Sequence, residues 1–151
     1  MNVHSSIRKA SPDDASEIAR LCHVLGYSAS QTEITTRLAE ILANPNHFVA
    51  VATNGESDLV AWIAAEHRII LASGERCEVV GIVVDNGSRR RGIGAGLIRA
   101  AEQWAFTKGL SHVFIRSNIV REESHAFFRS RGYVEKKTQK AYEKEVVERP
   151  A

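Results

Sequence analysis

The chain has 151 residues, 44% hydrophobic and 25% charged, with only 10 Gly and 3 Pro, which fits one globular domain over residues 1–151 and excludes collagen-like, disordered and low-complexity classes. Net charge is +2, but residues 1–75 carry 5 basic and 9 acidic side chains (−4) and residues 76–151 carry 15 and 9 (+6), so the positive field of the second half suits a local anion better than a nucleic-acid backbone. Cys22 and Cys77 stand far apart without paired His spacing, and neither a signal peptide nor a membrane-spanning apolar run is present; a cytoplasmic chain without disulfides, metal site or membrane contact is expected.

A short opening strand is predicted over Ile7–Ala10. Ser11, Pro12, Asp13 and Asp14 then supply an N-cap, a proline at N1 and early acids for a helix to about Leu25, stopped by Gly26. Ser30 with Glu33 forms a capping-box pattern before a second helix that ends near Asn44–Pro45. His47–Thr53 reads as a strand, Asn54–Gly55 as a turn, and Leu59 to about Leu71 as its antiparallel partner. Arg76–Val84 is the most apolar run and reads as a central strand carrying one carboxylate, Glu78, with Gly81 marking a bulge or a close backbone approach. A glycine-rich loop, Asp85–Gly96, leads into a helix ending at Lys108–Gly109. His112–Ser117 is a further strand, parallel to the central one, Glu122–Arg131 a helix stopped by Gly132, and Tyr133 to about Val147 one or two final strands. This order predicts a mixed α/β domain around a largely antiparallel sheet.

The loop is the chemical signal. A strand that runs into glycines at 92, 94 and 96 and then a helix gathers unpaired N–H groups and the positive end of the helix dipole at one point. Arg89, Arg90 and Arg91 add charge that reaches phosphate. A P-loop would need Gly-Lys-Ser/Thr where Leu97 and Ile98 follow Gly96, and a dinucleotide site would need a different glycine spacing and repeated βαβ units.

Arg89-Arg90-Arg91-Gly92-Ile93-Gly94 resembles the coenzyme-A signature, Arg/Gln-x-x-Gly-x-Gly/Ala after a central strand, of the GNAT N-acetyltransferases. A second segment, Ser124-His125-Ala126-Phe127-Phe128-Arg129-Ser130-Arg131-Gly132-Tyr133, is similar to that family's Ala-x-x-Phe-Tyr-x-x-x-Gly-Phe/Tyr. The resemblance runs over nearly the whole chain. It implies the GNAT acyl-CoA N-acyltransferase fold, with acetyl-CoA as cosubstrate and the strands at Val80–Val84 and Val113–Ser117 splayed around the pantetheine arm. Main chain at Ile82, Val83 and Val84 would bond the arm, the amides from Arg89, Arg90, Arg91, Gly92, Ile93 and Gly94 to Ala95 would hold the pyrophosphate, and Ser124, Phe127 and Phe128 would flank the thioester. By analogy a homodimer is expected.

Acetyl transfer to an amine needs a base, an oxyanion stabiliser and a leaving thiolate. Glu78, inside an apolar strand, is expected to have a raised pKa that suits a base; the alternative is a structural carboxylate paired with an arginine. His67 on the preceding strand is the competing base. Where the family usually has the Tyr that protonates the thiolate, this chain has Phe128, which leaves Tyr133, Tyr142, water or unassisted departure. Arg121-Glu122-Glu123-Ser124-His125 resembles a subgroup that includes aminoalkylphosphonate N-acetyltransferases. The expected function is direct transfer of acetyl to a primary amine of a small molecule, with no covalent enzyme intermediate, no metal, and neither nucleic acid nor membrane as partner. The alternatives are a protein or peptide N-acetyltransferase and a non-catalytic acyl-CoA sensor.

Overall fold

A computed structural model describes residues 6–24, 26–55, 58–88, 92–116 and 122–147. The chain divides into two compact units, residues 1–116 and 117–151. In the first, the strands β1 (Ser6–Lys9), β2 (His47–Thr53), β3 (Leu59–Ile70), β4 (Gly74–Val84) and β5 (Val113–Ile115) form one sheet in the order β1-β2-β3-β4-β5. The first three pairings are antiparallel and β4–β5 is parallel, as the intervening helix α3 (Ile93–Thr107) requires.

The predicted first helix opens as a 3-10 turn, Pro12–Asp14, and continues as α1 (Ala15–Val24). Asp14 ties this turn to β1: its carboxylate accepts the Ser11 N–H at 2.8 Å and both ends of the Arg8 guanidinium at 2.8 Å. The Arg8 hydrogen bond is the main reason its pKa lies below the usual carboxylate value. The capping box forms as read: Ser30 Oγ accepts the Glu33 N–H at 3.1 Å, and the Glu33 carboxylate accepts the Ser30 N–H at 3.4 Å, starting α2 (Gln31–Leu42).

Strand register sorts the side chains onto two faces. Val49 and Val51 of β2, Trp62 and Ala64 of β3 and Val83 of β4 share one face and pack with Ile18, Leu21 and Cys22 of α1 and Leu38 of α2. Phe48 and Ala65 lie on the other face, where Phe48 stacks on Trp104 of α3 with ring centroids 5.3 Å apart. The sheet is thus covered on both sides, which is why β4 is so apolar.

β4 carries a bulge. Ala64 pairs with Gly81 and Ala65 with Val79, leaving Val80 as the extra residue. Gly81 is also a close approach, because a Cβ there would lie 2.9 Å from the Trp62 ring. Both readings of Gly81 therefore hold. Gly81→Ala is expected to destabilise the chain by about 1–3 kcal/mol through overpacking; a loss in urea unfolding below about 0.5 kcal/mol would mean that Trp62 yields freely.

The second unit contains α4 (Glu122–Ser130), closed by a bond from the Gly132 N–H to the Arg129 carbonyl at 3.1 Å. Among the described residues no strand forms over Tyr133–Val147, where one or two were expected, and Val134, Tyr142, Val146 and Val147 stay exposed. Their apolar residues are interrupted by Lys136, Lys137, Lys140, Glu143, Lys144 and Glu145, so the stretch lacks the continuous apolar face that a paired strand would bury. The strand expected over His112–Ser117 is, among the described residues, Val113–Ile115, with Ser117 outside them. Among the described residues no helix is long and apolar enough to cross a membrane.

Candidate active site

Two features of β4 and α3 converge on one end of the sheet. Among the described residues the β4–β5 ladder covers Cys77, Glu78 and Val79, paired with Val113, Phe114 and Ile115. The Asp85 N–H bonds the Val60 carbonyl at 2.8 Å, which makes that cross-strand pair a hydrogen-bonded one. Alternation along the antiparallel pair then turns the main-chain groups of Ile82 and Val84 away from β3, toward the β5 side. Val83 turns its main chain to Trp62 instead and buries its side chain in the core, so of the three expected residues it alone is not at this edge.

The loop after β4 ends at Gly92, whose φ of +77° suits glycine as the N-cap of α3. The first bond of the helix runs from the Gly96 N–H to the Gly92 carbonyl at 3.0 Å, so the N–H groups of Ile93, Gly94 and Ala95 precede it and have no helical acceptor. Ile93 and Ala95 bury their side chains, leaving main chain as their contribution at this point. Gly96 serves packing: a Cβ there would meet the terminal methyl of Ile7 at 2.6 Å. Arg89, Arg90 and Arg91 lie outside the described residues. An edge of strand main chain leading to a helix N-terminus is a donor set that fits a pantetheine amide chain followed by a pyrophosphate.

Glu78 takes the second of its two expected environments, that of a carboxylate paired with arginine. It is 2% exposed, yet its Oε2 accepts from Arg68 Nη1 at 2.9 Å and its Oε1 from Arg76 Nη2 at 2.9 Å, and Arg116 Nε lies 3.4 Å from Oε2. Arg76 is braced by stacking over the Phe114 ring, 4.0 Å from its centroid. Burial pushes the Glu78 pKa up, but the hydrogen bonds from Arg68 and Arg76 and the fields of Arg116 and Arg68 together outweigh it. The result lies below the ordinary carboxylate value, correcting the raised pKa expected from burial alone. Register puts Glu66, Arg68, Arg76, Glu78, Phe114 and Arg116 on one face of the sheet, the face that α1 and α2 cover farther along β4. The signal for this cluster was the alternation in Glu66-His67-Arg68 and Arg76-Cys77-Glu78, which sets two arginines around one carboxylate once the hairpin register is known.

His67 sits on the opposite face, paired with Cys77, so the two candidate bases do not address the same space. Its Nε2 is 3.5 Å from Glu75 Oε1, and neither ring nitrogen has a hydrogen-bond partner among the described residues. Both cysteines are buried. Burial and then the Glu78 charge push the Cys77 thiol up to about 11, and burial raises Cys22, so neither is a thiolate nucleophile at neutral pH. In the second unit, α4 places Ser124, Phe127 and Phe128 at helical spacing on one side. Phe128 meets Phe127 at 5.5 Å and the ring of Tyr133 edge-on at 6.3 Å, and the Tyr133 N–H bonds the Phe128 carbonyl at 3.1 Å.

Residues 13–133 match the profile of the acetyltransferase (GNAT) family. A curated relative, the "Acetyl transferase GW6a" of Oryza sativa subsp. japonica, is 29% identical over 113 residues, which is 67% of this chain and 27% of the relative; the chain thus spans about a quarter of that protein. Among solved structures, aminoglycoside 6'-N-acetyltransferase AAC(6')-Ih from Acinetobacter baumannii superposes with a TM-score of 0.83 at 19% identity, covering 95% of this chain and 99% of that one. Aminoglycoside N-acetyltransferase AAC(6')-Iy, solved with CoA, gives 0.86 at 20%, with 95% and 97% covered. Glucosamine-6-phosphate N-acetyltransferase from Arabidopsis thaliana gives 0.82 at 19%, with 93% and 98% covered. At these identities the superpositions establish the fold.

Proposed function

We propose, from the premise that this chain belongs to the acetyltransferase (GNAT) family, that it is an acetyl-CoA-dependent N-acetyltransferase acting on the primary amine of a small molecule. The observation that carries the reading is the start of α3, where the N–H groups of Ile93, Gly94 and Ala95 precede the first helical bond, after a strand whose Ile82 main chain faces away from β3. Main chain at Ile82 and Val84 would hold the pantetheine amides, and the amides of Ile93, Gly94 and Ala95, with Arg89, Arg90, Arg91 and Gly92, the pyrophosphate. By the family resemblance Ser124, Phe127 and Phe128 of α4 would flank the thioester arm, and residues 1–151 are read as one transferase domain. Acetyl-CoA supplies an acyl group on a thiol leaving group. Small-molecule acceptors are supported by the names of the superposed enzymes and by the resemblance of Arg121–His125 to aminoalkylphosphonate N-acetyltransferases.

Within this reading Glu78 is a positioning residue. Three guanidiniums hold it ionised, and a carboxylate with a depressed pKa is a weak acceptor for an ammonium proton. Tyr133, whose ring packs on Phe128, takes the place of the usual phenol as proton donor to the thiolate.

The test is thiol release from acetyl-CoA with small amines and with short peptides, followed against pH. Small amines are expected to turn over and peptides not, with kcat/KM rising toward the amine's own pKa and no inflection from Glu78 between about pH 5 and 8. Turnover of peptides alone would assign a protein substrate. Loss of turnover in His67→Gln with acetyl-CoA binding kept would hand the base role to His67. Binding of acetyl-CoA without acetylation of any amine would favour a sensor, the reading that Phe128 at the usual tyrosine position motivates.

A further inference from the structure

We infer that the acceptor amine carries an anionic group, a phosphate, phosphonate or carboxylate, and that Arg68 and Arg116 bind it on the sheet face beside Glu78. The inference rests on the transferase reading above and names the substrate class of that site.

The cluster holds more positive charge than its own structure uses. Neutralising Glu78 takes one guanidinium, and three surround it. Among the described residues of this part of β3, β4 and β5, the other carboxylate that register sets beside the cluster is Glu66, directly opposite Glu78; counting both, one positive charge is left over. The three arginines also differ in exposure. The Arg76 side chain is 17% exposed and stacked on Phe114, whereas Arg68 is 40% and Arg116 55% exposed. Arg116 is the loosest of the three, since among the described residues its contact is through Nε at 3.4 Å, which leaves both Nη groups of the fork available. Arg68 is held through one Nη, with the other N–H groups available. A guanidinium already fixed by a buried carboxylate loses little freedom when it binds a second anion, so the pair is preorganised for a bidentate partner.

The placement fits an acceptor. Glu78 lies two residues before Val80, the bulge of β4, which follows the last β4–β5 pair among the described residues, a step of about 6–7 Å along the strand. An anion on Arg68 and Arg116 would leave a nitrogen two or three bonds away within reach of the β4 edge where the thioester arm would enter.

Two measurements test this. With coenzyme A saturating, so that its own phosphate site is filled, methylphosphonate and then acetate are titrated into the protein while the arginine Nε–Hε resonances are observed. Shifts of a subset of these signals are expected, with binding weakened about tenfold or more in the Arg68→Gln/Arg116→Gln variant; no shifts, or the same binding in the variant, would overturn the inference. Acetyl transfer is then compared for an aminoalkyl phosphonate, β-alanine and ethanolamine. Preference for one of the anionic amines over ethanolamine is expected to fall about 10- to 100-fold in Arg116→Gln, through KM, and to be partly kept in Arg116→Lys. An unchanged preference, or a wild type that favours ethanolamine, would mean the arginines only brace the sheet. Should methylphosphonate or acetate bind through Arg68 and Arg116 while none of the amines is acetylated, the anion site stands and the transferase reading is the one that fails.

Discussion

Glu78→Ala is expected to lower the free energy of unfolding by about 2–4 kcal/mol, the cost of breaking a buried ion pair reduced for the partial exposure of two of its partners. The removed carboxylate is the point on which guanidiniums from β3, β4 and the residue after β5 converge, so three like charges would be left facing one another across the sheet. Glu78→Gln keeps the shape and still removes the countercharge; its loss is expected to be of the same sign and smaller. The same cluster predicts an acid dependence. The folded pKa of Glu78 is depressed below 4.5, so its contribution is fully present above that value and disappears as pH falls through the folded pKa. Urea unfolding at neutral pH and at about pH 3 should therefore show a gap between wild type and Glu78→Gln that narrows in acid. A constant gap would mean that the carboxylate contributes packing and no charge. In kinetics, a positioning role predicts a rise in the amine KM in Glu78→Gln with a smaller fall in kcat; loss confined to kcat, together with a displaced acid limb in the pH profile, would restore Glu78 as base.

Charge reversal at the glycine loop should have the largest effect on donor binding. Arg91→Glu puts a carboxylate at the residue before Gly92 in the sequence, ahead of the N–H groups of Ile93, Gly94 and Ala95 that precede the first bond of α3 and concentrate positive potential. A charge-assisted contact is lost and a repulsion gained, and acetyl-CoA affinity is expected to fall about 100-fold. Calorimetric titration of the two proteins measures it. Desulfo-coenzyme A should weaken in parallel, because the effect belongs to the phosphates; a change of less than about threefold would remove the arginine run from the site.

How much was readable beforehand depended on whether a property is local. The Ser30–Glu33 capping box and the bulge beside Gly81 are set by residues within a few positions of one another and form as read, whereas the loop read over Asp85–Gly96 gives way at Ile93, where α3 begins. The environment of Glu78 was not local. Its partners come from three places in the chain, and only the register between β3 and β4 and between β4 and β5 brings Arg68, Arg76 and Arg116 together. A carboxylate in an apolar run looks desolvated from the sequence alone, and that estimate omits the cations that decide its pKa. Val83 was misjudged for a related reason: being next to Ile82 in sequence puts its main chain on the opposite edge of the strand. The expected strands after Tyr133 failed because alternation describes a strand's faces and says nothing of whether an edge is there to pair with.

The most direct measurement of the central claim is mass spectrometry of a reaction with acetyl-CoA and a small anionic primary amine, with free thiol counted in the same sample. The account predicts the N-acetylated amine and coenzyme A in equal amounts, with no acetyl group left on the protein. Thiol release without acetylated amine, or acetyl retained on a protein side chain, would contradict it.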